Sequence, residues 1–139
     1  MATVQFDKLQ VYQLAEELSD HAWNIVRGWK PIARDTVGKQ LIRAADSVGA
    51  NIAEGCGRGT FRDNRRFVQI ARGSLNETRH WLRRAFKREL LTAEQVALIK
   101  PILDSLPKRL NAYLRSISNR IDSHAPMTNQ PKVNSDDNP

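Results

Sequence analysis

The chain has 139 residues, 40% hydrophobic and 27% charged, with a formal net charge of +7 at pH 7. That length suits one domain with a small core, no run approaches the roughly 20 apolar residues of a membrane-spanning helix, and the lone cysteine, Cys56, excludes an intramolecular disulfide framework. The first residues lack the basic start and apolar centre of a secretory signal, so a cytoplasmic protein is expected.

Four helical segments and no strands are predicted. The first runs from about Lys8 to Trp29, with Val11, Leu14, Leu18, Ala22, Ile25 and Trp29 spaced three or four apart as an apolar stripe. Asp7 is its expected N-cap, and Pro31 stops it because proline cannot continue the backbone ladder. The second runs from about Thr36 to Cys56, with the stripe Val37, Leu41, Ala44, Val48 and Ile52. Asp35 or Thr36 caps it, and Gly55, Gly57 and Gly59 supply its stop.

The third segment runs from about Arg62 to Arg88, with Phe67, Ile70, Ala71, Ser74, Leu75, Thr78, Leu82 and Ala85 as its inner face. The fourth runs from about Thr92 to Ile117. Thr92 followed three residues on by Gln95 forms a capping box, and Pro101 and Pro107 predict a kink or break, although the unbroken apolar spacing argues that the helix resumes. Its stripe is Val96, Ile99, Ile102 or Leu103, Leu106, Leu110, Tyr113 and Ile117. Short joints between amphipathic helices imply an all-α, up-down-up-down four-helix bundle over residues 1–121. Residues 122–139 are polar and carry three prolines, which predicts a disordered tail.

Charge is distributed unevenly. Arg58 to Arg88 holds ten Lys or Arg against two acids, a local charge of +8, while the remainder sums to −1. Arg65, Arg72 and Arg79 recur every seven residues and line one flank of the third helix at roughly 10 Å intervals. Arg83 extends that flank and Arg62 lies on the outer face. Arginine at this density suits bidentate phosphate contacts. With little aromatic interleaving, backbone contact is the implied mode rather than base stacking.

A polar edge runs beside the apolar stripe of the second helix. Ser47, Asn51 and Glu54 share one face next to the small residues Gly49, Ala50 and Ala53. Close packing predicts a hydrogen-bonded network with Ser74, Glu77 or Arg72 of the third helix, fixing register rather than doing chemistry. Trp23, Trp29 and Trp81 belong at the core edge or at a subunit interface.

Catalytic patterns are missing. His21, His80 and His124 are far apart with no partner at metal-ligand spacing. Gly55-Cys-Gly-Arg-Gly59 follows a helix and lacks the ending of a phosphate-binding loop. No enzyme activity, metal or cofactor is expected.

Three blocks carry a resemblance: Phe6-x-x-Leu9, the run from Gln40 to Gly55 ending in Asn-Ile-Ala-Glu-Gly, and the run from Arg66 to Glu77 containing Ala-Arg-Gly-Ser. Over about Phe6 to Ile117 the chain resembles the bacterial four-helix bundle family named for proteins encoded in 23S rRNA intervening sequences. That family is similar to the accessory variability determinant protein of diversity-generating retroelements. The resemblance implies a homopentameric ring with a basic surface and no enzymatic activity. Its retroelement side implies binding of nucleic acid and of a reverse transcriptase. The chain departs from the pattern in its tail beyond Ile121 and in Gly59-Thr-Phe-Arg62 and Asn64-Arg65, where a Ser-rich turn followed by an acidic residue is expected.

The combined expectation is an oligomeric bundle that binds RNA or DNA through phosphate contacts from Arg62, Arg65, Arg72, Arg79 and Arg83. The alternative is a structural or adaptor oligomer whose arginines pair with acids such as Glu16, Glu17 and Asp20 of neighbouring subunits.

Overall fold

The computed structural model describes residues 5–123. Among them are four long helices and no strand: α1 (Gln10–Val26), α2 (Lys39–Cys56), α3 (Phe61–Lys87) and α4 (Ala93–Asp122). The expected tail falls almost wholly on residues 124–139, outside the described part, and Asp122 is the last residue of α4.

The helix starts differ from the sequence reading in instructive ways. Asp7 does not cap α1; it sits in a 3-10 turn, Phe6–Lys8, and Leu9 occupies the cap position without a side-chain bond. Pro31 does more than end the first run. It opens a short helical turn, Pro31–Ala33, because its missing N–H is not needed at a first helical position. A π turn, Arg34–Gly38, then leads into α2. Thr36 is therefore no cap, and its hydroxyl donates back to the Ile32 carbonyl at 2.6 Å.

Gly55 is likewise no stop signal but a buried residue within α2. A Cβ there would lie 2.5 Å from Asn64 Oδ1 and 3.1 Å from the Asn64 carbonyl oxygen, so its absence lets α2 and α3 approach closely. At the other end of α3, Glu89 adopts φ 60°. The Leu90 N–H reaches the Ala85 carbonyl at 2.9 Å and the Glu89 N–H reaches Phe86 at 3.1 Å, a Schellman closure with Glu where glycine is favoured. Glu89→Gly relieves that left-handed strain and is expected to raise stability by about 1 kcal/mol, read as a higher urea midpoint.

The capping box at the start of α4 is complete. Thr92 Oγ1 accepts from the Gln95 N–H at 3.1 Å, and Gln95 Oε1 accepts from the Thr92 N–H at 3.0 Å. No break occurs at the prolines: α4 continues through Pro101 and Pro107, as the unbroken apolar spacing argued. Each removes a backbone donor at a cost of about 3 kcal/mol, and burial of Ile99, Ile102, Leu106, Leu110 and Ile117 on either side offsets it. Pro101 is exposed, so Pro101→Ala restores a ladder bond without touching the core. Stability is expected to rise by about 1–3 kcal/mol on chemical denaturation.

Each helix packs on its neighbours in chain order, and α1 closes the square against α4. The up-down arrangement shows in contacts at both ends. The Trp29 indole N–H donates to the Leu90 carbonyl at 3.0 Å, joining the α1–α2 and α3–α4 connections. At the opposite end, Asn64 Nδ2 donates to the Tyr113 hydroxyl at 3.4 Å, and Cys56 Sγ lies 3.6 Å from the same oxygen. The core between them is filled by Leu18, Leu41, Ile52, Leu75, Leu106 and Ile117.

Two stripes are shifted from their expected positions. In α1, Ala15 and Val26 are buried while Leu14 is only half-buried. In α3, the buried set is Phe61, Asn64, Val68, Ala71, Leu75, Thr78, Leu82 and Ala85, leaving Phe67 half-buried and Ile70 exposed. The Arg66 and Arg58 guanidinium groups lie over the Phe67 ring at 4.5 and 5.2 Å, so cations cover part of that edge.

Cys56 is fully buried, and burial pushes its thiol up, opposed only in part by the hydrogen bond with Tyr113. The folded chain thus holds that proton more tightly than the unfolded one, whose thiol ionises near pH ~8.5. The thiol therefore lowers stability as pH rises above that value. Iodoacetamide at pH 8 is expected to leave native Cys56 unmodified and to label it after unfolding. Between pH 8 and 10 the urea midpoint should fall more steeply for the wild type than for Cys56→Ala.

Candidate nucleic-acid interface

The basic flank of α3 faces the seam with α4. The helix repeat requires this: Arg65, Arg72 and Arg79 drift only about 20° per seven residues, so they stay on one line beside the buried stripe. Arg72, Arg79 and Arg83 line two grooves along that seam. Arg65 continues the same line by position and is half-buried. Arg62 is exposed but lies about 80° round the helix from Arg72, so it stands on the outward face of the first turn.

The first groove, about 470 Å³, is polar. Arg72, Gln69, Asn111, Arg115, Ser118 and Asn119 supply donors around it. Arg72 Nη1 donates to Asn111 Oδ1 at 3.4 Å, which ties the guanidinium to α4 and limits its swing. The second, about 510 Å³, lies toward the α3–α4 connection. There Arg79, Arg83, His80 and Lys100 surround a floor of Leu82, Val96, Ile99 and Leu103. Asp104 is the one acid lining either groove.

Among the described residues, none of Arg62, Arg65, Arg72, Arg79 or Arg83 makes an ion pair with a carboxylate. Two ion pairs among the described residues, Arg34–Asp35 at 2.9 Å and Arg58–Glu54 at 3.4 Å, both lie away from the seam. Five cations, Arg72, Arg79, Arg83, Lys100 and Arg115, thus face a line with one opposing charge. From Arg65 to Arg83 the line is about 27 Å long. At 3.4 Å per step, that matches about eight base pairs of duplex.

Lys100 and Arg115 were not legible as part of this surface. The charge count pointed to residues 58–88 alone, and which side of α4 meets α3 cannot be read from α4 itself. Asn64 was also missed. It falls inside the predicted third helix, four residues before Val68 and seven before Ala71, the spacing of the buried face, but was left out of the expected inner face. It is 0% exposed, and its Oδ1 has no hydrogen-bond partner.

The polar edge of α2 is partly assembled. Ser47 and Ser74 join Oγ to Oγ at 2.9 Å, and Asn51 Nδ2 donates to the Ser47 carbonyl at 2.8 Å and to its hydroxyl at 2.9 Å. These three residues are half-buried. Glu54 and Glu77 stand outside the network. Both are exposed; Glu54 pairs with Arg58, and Glu77 accepts from the Trp81 indole N–H at 3.1 Å. One helical turn beyond Asn51 and Ser74 the long carboxylates point to solvent, where hydration is available.

Residues 7–112 match a family model described as 23S rRNA-intervening sequence protein. The chain belongs to that family. The match spans α1, α2, α3 and α4 as far as Ala112, so Arg72, Arg79, Arg83 and Lys100 of the basic seam lie within it and Arg115 lies just beyond. No curated protein matches the chain. Among the described residues, no group of three or more His, Cys, Asp or Glu side chains could hold a metal ion, and no helix is long and apolar enough to cross a membrane.

Proposed function

We propose that this 23S rRNA-intervening sequence protein is a non-enzymatic, cytoplasmic oligomer that binds RNA or DNA along the α3–α4 seam by phosphate contacts. The observation that carries the reading is the line of Arg72, Arg79, Arg83, Lys100 and Arg115 with a single carboxylate beside it. Guanidinium forks and amide donors at that spacing suit backbone oxygens and read little sequence. Arg62 and Arg65 extend the contact toward the start of α3.

Assembly as a pentameric ring is part of the proposal, drawn from the resemblance. The flank of α3 opposite the seam is suited to meeting another copy, since half-buried Phe67 and Trp81 and exposed Ile70 lie along it. A reverse transcriptase is the protein partner that the retroelement resemblance suggests. Sedimentation would test the ring and co-purification the enzyme.

The direct test of binding is a salt titration with a short RNA duplex. Log affinity is expected to fall linearly with log salt, with a slope of about −4.5 if the five cations each neutralise a phosphate at about 0.9 per contact. Absence of binding at 50 mM salt would favour the adaptor reading, in which exposed Glu16, Glu17 and Asp20 of another copy take up the arginines.

A further inference from the structure

The two grooves of the seam differ in chemistry although the same arginine line borders both. The one at Arg72 is walled by amides, hydroxyls and guanidinium groups. The one at Arg79 and Arg83 has an apolar floor built from both helices and the turn between them, including Leu91, Val96 and Leu103. At its rim the Phe86 side chain is 56% exposed, an aromatic surface left open to solvent beside three cations. A duplex backbone has no use for that floor. An unpaired nucleotide does, because its base offers an apolar face for stacking while its phosphate meets Arg79, Arg83 or Lys100.

We propose that the second groove, at Arg79 and Arg83, holds an unpaired base, so that the protein prefers a nucleic-acid duplex carrying a single-stranded extension over a blunt one. The first groove and Arg72 hold the adjoining backbone. The groove's volume of about 510 Å³ suits a ligand the size of a nucleotide. Its charge complements a phosphate: Arg79, Arg83 and Lys100 outnumber Asp104. This inference rests on the proposed binding along the seam and adds the class of nucleic acid to it. The stacking surface was hidden from the sequence because Phe86 lies outside the predicted apolar stripe of α3, while most of the floor comes from residues after the turn.

Three RNA probes separate the two claims: a blunt duplex, the same duplex with a three-nucleotide 3′ extension, and one whose extension has the same phosphates but abasic sugars. The base-bearing extension is expected to bind roughly 5- to 100-fold tighter than the abasic one at equal salt, the range for one stacked base. Phe86→Ala should remove most of that difference while leaving affinity for the abasic probe unchanged, and Phe86→Trp should restore it. Because Phe86 is half exposed, these variants leave the core intact. Equal affinity for all three probes overturns the base-holding groove and leaves backbone binding standing. Failure of all three to bind at low salt overturns both. Capture of an acidic peptide in the groove, with no discrimination between the extensions, would also overturn the proposal.

Discussion

Arg72→Gln, Arg79→Gln and Arg83→Gln combined are expected to lower affinity for duplex RNA roughly 500-fold at 0.1 M salt. The figure follows from counterion release. Each phosphate contact contributes about 0.9 to the slope of log affinity against log salt, so at 0.1 M it is worth about one decade relative to 1 M. Three lost contacts lower the slope by about 2.7. The loss should therefore shrink as salt rises, and near 1 M the variant and the wild type should converge. All three side chains are exposed and free of ion pairs within the described chain, so thermal unfolding should change little. Competition among duplexes of different sequence should show uniform weakening, because backbone contacts position a nucleic acid without reading it.

The second large effect concerns what holds the seam straight. Leu106→Ala is expected to destabilise the bundle by about 3–5 kcal/mol, read from the shift in urea midpoint. Leu106 is 0% exposed, and the residue after it is Pro107. Helix α4 already lacks two backbone donors in its middle turns, so its persistence there depends on burial more than on the ladder. Removing the leucine leaves a cavity in the turn least able to tolerate it. A domain of this size has a net stability of only about 5–15 kcal/mol, so this one side chain accounts for a large part of the margin. Leu98→Ala on the same helix, where the side chain is 54% exposed, should change stability by less than about 0.5 kcal/mol.

Much of the fold was legible because helical spacing and burial are the same signal. Leu41, Val48 and Ile52 were placed on the inner face by their three-and-four spacing, and all are 0% exposed. The capping box at Thr92 was readable because both of its partners lie within four residues. What failed was phase and context. Phe67 and Ile70 were placed on the inner face of the third helix, yet Asn64 and Val68 hold the inner line there, a shift of phase that the three-and-four spacing alone does not settle. At the prolines of α4 local chemistry pointed to a kink or break while the unbroken apolar spacing argued for helix, and the spacing was the better guide. Gly55 was read as a stop, when its role is set by Asn64 on another helix.

The candidate site was legible in one half. The heptad spacing of Arg65, Arg72 and Arg79 placed them on one line without any structure. Their companions Lys100 and Arg115, and the apolar floor between the helices, depend on how α4 turns against α3, which neither sequence segment encodes alone. The polar edge of α2 shows the same limit: Ser47, Asn51 and Ser74 are short enough to meet at the seam, whereas Glu54 and Glu77 lie a turn further toward solvent.

The central claim is that the arginine line is open to a polyanion and not occupied by acids of neighbouring copies. Arginine-specific footprinting with phenylglyoxal, read residue by residue by mass spectrometry on the assembled protein with and without a short RNA duplex, tests it most directly. Arg72, Arg79, Arg83 and Arg115 should react readily in the free protein and become protected by RNA, with Arg34 unchanged by it. Protection of those four before any RNA is added, with no change on its addition, would contradict it.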